Sequence, residues 1–299
     1  MKFLTTTILL LLYFAVIKSQ QFSMPSQLKQ NMMYLNPAYA GYFKTTVTSI
    51  MHRSKWVGFS GAQFFQNLEA HAPLKKQSVA LGAQFKNEKL GATINREAFL
   101  NYCHRIRIDN SLLAFGLKGG IRFKGIDKIL LPEVDPAFSE NSIPFLNFGF
   151  GISFYSNNYF GGLSVPYLLT NTVNAAGEGE INVDINNYNF LLTAGAKVAI
   201  NDEFYLEPVA ALNYSLVFAP QFVFILNTGF KNSLKFGAGY RHNEAILFNA
   251  GYALNAQLSF LYSYDYNIGI VGQFAKGSHE IGIMWRLGYV VNTINPRDF

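Results

Sequence analysis

Residues 145–155 read FLNFGFGISFY. Every second position is large and apolar: Leu146, Phe148, Phe150, Ile152 and Phe154. The positions between them, Asn147, Gly149, Gly151 and Ser153, are small or polar. A period of two is the side-chain period of a β-strand, whose successive Cβ atoms point to opposite faces. The run lasts about ten residues, which is what a tilted strand needs to cross a bilayer. Strands of soluble domains average about five or six.

The same alternation recurs along the chain. In 256–266 Ala256, Leu258, Phe260, Tyr262, Tyr264 and Tyr266 oppose Gln257, Ser259, Leu261, Ser263 and Asp265. In 98–109 Leu100, Tyr102, Ile106 and Ile108 oppose Asn101, Cys103, Arg105 and Arg107. In 112–123 Leu113, Phe115, Leu117, Ile121 and Phe123 oppose Lys118, Gly120 and Arg122. Counted through, the pattern predicts about fourteen long strands, the count and length of a membrane barrel rather than of a sandwich.

Composition agrees. The chain is 50% hydrophobic and 16% aromatic, with 28 Phe and 17 Tyr, yet only 14% charged. Ordinary soluble domains carry about 25% charged residues. Past the N-terminus no apolar run reaches the roughly 18–20 residues of a spanning helix. Residues 1–20 read as a secretory signal peptide, with Lys2 in a short basic region, an apolar stretch from Phe3 to Ile17 and small Ser19 near the cleavage point. The expected architecture is therefore all-β: a single transmembrane antiparallel β-barrel of about fourteen strands over 44–289. Residues 21–43 precede it as a short periplasmic segment that partly plugs the barrel, and 290–299 form a C-terminal tail.

The net charge is +6. Losing Lys2 and Lys18 with the signal leaves 22 of the 24 basic residues against 18 acidic ones. That balance is too even to argue for nucleic acid. Lone Cys103 excludes an internal disulfide and is read as a packing residue.

The polar face of the strands carries mostly Gly, Ser, Asn and Gln with single charges of both signs. Such a face suits a confined polar lumen. Glu69, Arg105, Arg107, Lys118, Arg122, Asp265, Glu280 and Arg286 are predicted to face it, pairing with one another and closing it. Connections alternate in length. Short ones lie at 75–76, 109–110, 157–158, 201–202, 232 and 255. Longer ones lie at 54–63, 87–97, 124–144, 167–188, 214–219 and 266–277, with short Asn243 as the exception. Short periplasmic turns and long outer loops are the outer-membrane rule. An even strand number then predicts that both termini are periplasmic.

Chemistry is sparse. The histidines at 52, 71, 104, 242 and 279 lack metal-ligand spacing, and no nucleophile motif or phosphate loop is present. The acidic stretch Glu133 to Glu140 reads as a solvated loop. No enzyme, cofactor or metal site is expected.

Two stretches stand apart from the strand pattern. Asn36-Pro37-Ala38-Tyr39-Ala40-Gly41 is a turn: Pro37 fixes φ, Gly41 tolerates positive φ, and Asn36 can bond its own backbone. Its apolar neighbours Met32, Met33, Tyr34 and Leu35 are expected to tuck into the barrel end. One strand later comes His52-Arg53-Ser54-Lys55-Trp56-Val57-Gly58-Phe59, placed on the outer side. Asn36, Pro37, Tyr39, Gly41, His52, Arg53, Trp56, Gly58 and Phe59 are therefore the candidate partner-binding or structural residues.

In these residues the chain resembles the PorP/SprF family of type IX secretion system outer-membrane proteins. The resemblance begins at Gln21-Phe22-Ser23 and Leu35 to Gly41. It resumes at His52-Arg53, Trp56 to Ala62 and Ala70-His71-Ala72-Pro73-Leu74. Later stretches are Arg105-Ile106-Arg107, Asp135-Pro136-Ala137-Phe138, Gly162 to Pro166, Gly239-Tyr240-Arg241, Tyr262 to Tyr266 and Gly277-Ser278-His279-Glu280-Ile281. Where the family tends to have Pro and then Thr-Gln, this chain has Gln63 to Gln66. The resemblance implies an outer-membrane barrel of the type IX secretion or gliding machinery. Implied partners are a secreted adhesin, through its C-terminal sorting domain, other machinery components and membrane lipid. A channel for small solutes is the alternative reading.

Overall fold

The computed structural model describes residues 22–74, 77–126, 143–173 and 179–288. The signal peptide, the turn at 75–76, the acidic stretch from Glu133 and the tail at 290–299 lie outside the described residues. The strands are β1 (Thr46–Ser54), β2 (Phe64–Pro73), β3 (Val79–Leu90), β4 (Thr93–Ile108), β5 (Ser111–Ile126), β6 (Ile143–Tyr155) and β7 (Tyr159–Val165). After a small separate hairpin, β8 (Thr170–Val173) and β9 (Gly179–Asn182), come β10 (Phe190–Ala196), β11 (Val198–Ala199), β12 (Phe204–Tyr214), β13 (Gln221–Phe230), β14 (Leu234–Arg241), β15 (Ala245–Ala253), β16 (Leu258–Asn267) and β17 (Ser278–Leu287).

β10 and β11 follow one another along β12, so they form one stave, and the barrel has fourteen. Every pairing is antiparallel. The ring closes where the first stave meets the last, Thr46 of β1 pairing with Leu287 of β17, and the pairing of β10 with β12, Phe190 with Tyr214, leaves it continuous through the divided stave. Closure removes the free edges that an open sheet would expose.

The alternation places side chains as the period of two requires, but with the usual sense of burial inverted. Leu100 on β4 is 71% exposed, whereas Glu69 on β2 is 2% exposed. Apolar residues face outward to form the lipid-contacting band, and the charged and small residues turn into the lumen.

One end of the barrel carries the connections 55–63, 215–220 and 268–277 and the described stretches 166–173 and 179–189. That end also carries the short turns 91–92 and 242–244, whereas the other end carries short connections only, and there the chain enters β1 and leaves β17. The long loop expected at 87–97 is not formed. β3 and β4 continue in register to Leu90 opposite Thr93, and Gly91 and Ala92 turn the chain. The alternation there was masked because inward positions, Lys86, Glu88 and Glu97, are charged and read like loop residues.

Candidate functional site

The lumen is filled by the chain's own N-terminal segment. Phe22, Met24, Leu28, Met32, Met33, Tyr34, Leu35, Ala38, Tyr39 and Ala40 are all buried and form the main apolar core with lumen-facing residues of the staves. The segment crosses the lumen in three passes. Phe22 stacks on Tyr34, with ring centres 5.1 Å apart, beside Tyr167 at the long-loop end. Lys29 reaches Glu207 near the short-turn end of β12. Tyr34 returns to Phe65, 5.4 Å away at the long-loop end of β2, and Gly41 descends again to Arg105 and His71. The first described residue therefore lies at the opposite end from the entry to β1. This corrects the expectation that both termini share the short-turn end, because parity of strand number fixes only where the barrel begins and ends.

The Asn36–Gly41 turn sits deep inside. Asn36 accepts from the N–H of Ala38 at 2.9 Å and donates to the carbonyls of Ile152 and Leu163 at 3.1 and 3.3 Å. Pro37–Tyr39 form a single 3-10 turn, and Gly41 has φ +71°. Tyr39 meets Thr193 at 3.0 Å. The staves make room by lacking side chains. A Cβ on Gly116 would collide with Ala38, one on Gly151 with Asn36, and one on Gly82 with Met33.

Near the long-loop end a buried charge cluster grips the segment. Glu280 accepts from the backbone N–H groups of Ser26 and Gln27, each at 2.8 Å. Arg53 donates to Glu280 at 2.9 Å and Asp265 at 2.6 Å, and Arg241 donates to Asp265 at 2.8 Å. Both guanidiniums also donate to Ser26 Oγ, which in turn donates to Asp265 at 2.7 Å. Two cations and two anions thus compensate one another where isolated charges would be prohibitive.

Most of the other predicted lumen residues are inside. Glu69 accepts from Ser49 at 3.2 Å, and Arg105 donates to the Gly41 carbonyl at 2.8 Å. Lys118 lies 4.5 Å from the ring centres of both Phe99 and Tyr167. Arg122 donates to Glu97 at 2.8 Å, and Arg286 stands 5.0 Å over Phe43. Arg107 is the exception. It shares the inward face of β4, but it lies so near the short-turn end that it is exposed at the rim. Sequence reasoning missed the partners Ser26, Lys29, Lys86 and Glu97. Lys86 binds Glu97 at 2.9 Å, and Lys29 and Lys235 both bind Glu207. The lumen-facing glycines Gly116 and Gly151 were the readable sign that something packs against them.

The second candidate stretch is divided by the fold. His52 and Arg53 are consecutive on β1, so they point to opposite faces. Arg53 is in the lumen cluster, whereas His52 faces outward against Phe64, 5.5 Å between ring centres. Trp56, Gly58 and Phe59 lie in the loop at the long-loop end. Val57 is tied to the neighbouring loop by N–H···O bonds of 2.8 Å with Gly277 and Lys276, and Trp56 N donates to Ser278 Oγ at 3.1 Å. Trp56 adopts φ +59° and Gly58 +92°, which bend the loop over the mouth. Lys55 Nζ stands 4.4 Å over the Trp56 ring and bonds Glu244 at 2.7 Å. Phe59 is exposed. Burial pushes the Glu244 carboxyl up, but Arg241 and Lys55 outweigh it and hold it at about 2. Among the described residues no group of three or more His, Cys, Asp or Glu is arranged to hold a metal ion.

A family model described as type IX secretion system membrane protein PorP/SprF matches residues 17–285. No curated protein matches the chain. Among solved structures it is similar to the CymD monoaromatic hydrocarbon channel, at 12% identity and TM-score 0.55, over 90% of this chain and 94% of that one. A Pseudomonas aeruginosa FadL homologue matches at 9% identity and TM-score 0.50, over 84% and 92%. The Acinetobacter baumannii outer membrane protein Omp33 matches at 6% identity and TM-score 0.49, over 81% and 98%. At these identities the likeness concerns the barrel fold.

Proposed function

The chain belongs to the PorP/SprF family of type IX secretion system membrane proteins, and we propose that it is a non-catalytic docking barrel for one secreted adhesin. In this reading the long-loop end faces the cell exterior, as the outer-membrane rule assigns it. The adhesin's C-terminal sorting domain is held at that mouth, and other components of the secretion and gliding machinery engage the barrel from the periplasm. Fold and family place the barrel in the outer membrane. The observation that carries the docking role is the occupied lumen. Residues 22–41 fill the interior and are held there by hydrogen bonds from Ser26 and Gln27 to Glu280 and Asp265 and by the Lys29–Glu207 ion pair, so the work of the resting protein falls to its surface. The tied loops around Trp56 offer a preorganised surface, with Phe59 exposed.

The test is capture of the adhesin with native barrel purified from outer membranes. Wild type should retain the sorting domain, and Trp56→Ala should lose it while keeping a fully heat-modifiable barrel. Capture unchanged by Trp56→Ala, together with loss in an otherwise folded Gly41→Val variant, would assign docking to the opposite end. The rival role, a solute channel like CymD, requires a large steady conductance in planar bilayers, and a plugged barrel should show none.

A further inference from the structure

Two adjacent cross-strand rows on the outer face of β1 to β5 differ sharply in polarity, and the row beyond them, Ser54, Phe64, Lys89, Ile94 and Gly125, is mixed. The first row runs Ile50, Leu68, Phe85, Ala98, Ile121 through successive register pairs. The next row toward the long-loop end runs His52, Gln66, Asn87, Arg96, Phe123. All ten positions share the outward face of their strands, so the change from apolar to polar happens in one step, with Phe123 alone remaining apolar. Ala98 is the one small residue of the first row, flanked by Phe85 and Ile121 and directly beneath Arg96. The notch it leaves opens into a groove of about 610 Å³ on this face, walled by Ile50, Leu68, Phe85 and Phe123.

Arg96 is exposed at the head of this groove and has no hydrogen bond or ion pair among the described residues. Beside it Asn87 donates to Gln66 at 3.2 Å, so the polar row is organised rather than scattered. A cation with free N–H donors above an apolar groove, on the surface of a membrane barrel, matches a molecule with the same division. We propose that this groove is a binding site for a bilayer lipid with an anionic phosphate headgroup. Arg96 pairs with the phosphate, as its forked donors allow. Asn87 and His52 extend the polar rim, and an acyl chain lies over Ala98 between Phe85 and Phe123. The site is independent of adhesin docking and uses none of the mouth residues.

The test is native mass spectrometry of the delipidated barrel titrated with phosphatidylglycerol, phosphatidylcholine or inorganic phosphate. Wild type should hold one phosphatidylglycerol about tenfold more tightly than phosphatidylcholine, because both present the same phosphate but the choline cation of the latter repels the Arg96 guanidinium. Arg96→Gln should abolish that preference, and Ala98→Leu, which fills the notch, should weaken both lipids. Both side chains face lipid, so the barrel's heat-modifiable mobility should remain that of wild type. Arg107→Gln, at the opposite rim, should leave the preference intact. The proposal is overturned if Arg96→Gln still prefers phosphatidylglycerol, if Ala98→Leu binds both lipids as wild type does, if Arg107→Gln loses the preference equally, or if inorganic phosphate displaces phosphatidylglycerol at matched concentration.

Discussion

Ser26 and Glu280 are 254 residues apart in the chain, and the backbone N–H of the first donates to the carboxylate of the second at 2.8 Å. The bond joins the N-terminal segment to the last barrel strand. Glu280 also receives Arg53, so it satisfies a plug amide and a strand guanidinium at once. Removing one partner of a buried pair leaves the other uncompensated, at a cost of about 3–5 kcal/mol. Glu280→Gln should therefore lower the unfolding free energy by an amount in that range, read as a lower urea midpoint at unchanged m-value. Glu203→Gln breaks the exposed Lys231–Glu203 pair at 3.1 Å and should cost about 1 kcal/mol or less. Equal costs for the two would mean that the cluster is wet and does not latch the segment.

The glycines opposite the Asn36–Gly41 turn give a way to unseat the segment without touching it. Val at Gly116 would drive its Cβ into Ala38. The nearest atoms to that Cβ all belong to Pro37 and Ala38 and none to a neighbouring stave, so closure should survive and the segment should be expelled. Lys29, buried in wild type, should then become a trypsin site in an otherwise protease-resistant barrel, with conductance appearing in parallel. Gly161→Ala, whose new Cβ meets nothing nearer than 3.8 Å, should behave as wild type. A folded Gly116→Val barrel that keeps Lys29 uncut would show that the segment is not seated on β5.

What could be read from the sequence follows from what a period of two encodes. It assigns each residue to a face, which is why Glu69, Arg105, Lys118, Arg122, Asp265, Glu280 and Arg286 are found in the lumen. It says nothing about height along the strand, and Arg107 fell outside for that reason. It also fails where both faces are polar, as at Asn87, Lys89 and Arg96, where the strands continue into what read as a loop. Pairing across the lumen depends on the path of a segment with no periodicity of its own. Ser26 and Lys29 could not be matched to Asp265 and Glu207 by spacing. Turn chemistry is local and was legible: Asn36 bonds its own backbone as its sequence indicates.

The three-pass route puts Phe22 and the Trp56 loop at the same end, and Asn232 and Asn255 at the other. With the long-loop end outside, Ser23→Cys and Phe59→Cys should both react with a membrane-impermeant maleimide on intact cells. Asn232→Cys and Asn255→Cys should react only after the membrane is opened. Buried Cys103 should stay silent throughout and serve as the internal blank. Labelling of Asn255→Cys on intact cells would invert the barrel. Labelling of Phe59→Cys without Ser23→Cys would show the segment entering from the periplasm.

The Lys55–Glu244 bridge ties the Trp56 loop to the turn between β14 and β15, and its pH response has a definite sign. Glu244 is held at about 2 against an ordinary value of 4.5. A carboxylate with a depressed folded-state pKa stabilises the folded form above its unfolded pKa, and that contribution disappears as pH falls through the folded one. The full shift corresponds to roughly 3 kcal/mol. Burial lowers the pKa of Lys55, which opposes part of this gain, so the net value of the bridge is smaller. In a Trp285→Phe background, Trp56 fluorescence should therefore be constant from neutral pH down to about 3 and change around pH 2, where the folded-state carboxylate takes up its proton and Lys55 leaves the ring. Glu244→Gln should show the low-pH spectrum already at pH 7 and lose the transition. A transition that persists in Glu244→Gln would place the titrating group elsewhere. Because Trp56 sits at the proposed docking mouth, adhesin capture should fall over the same interval in wild type and be pH-independent there in Glu244→Gln.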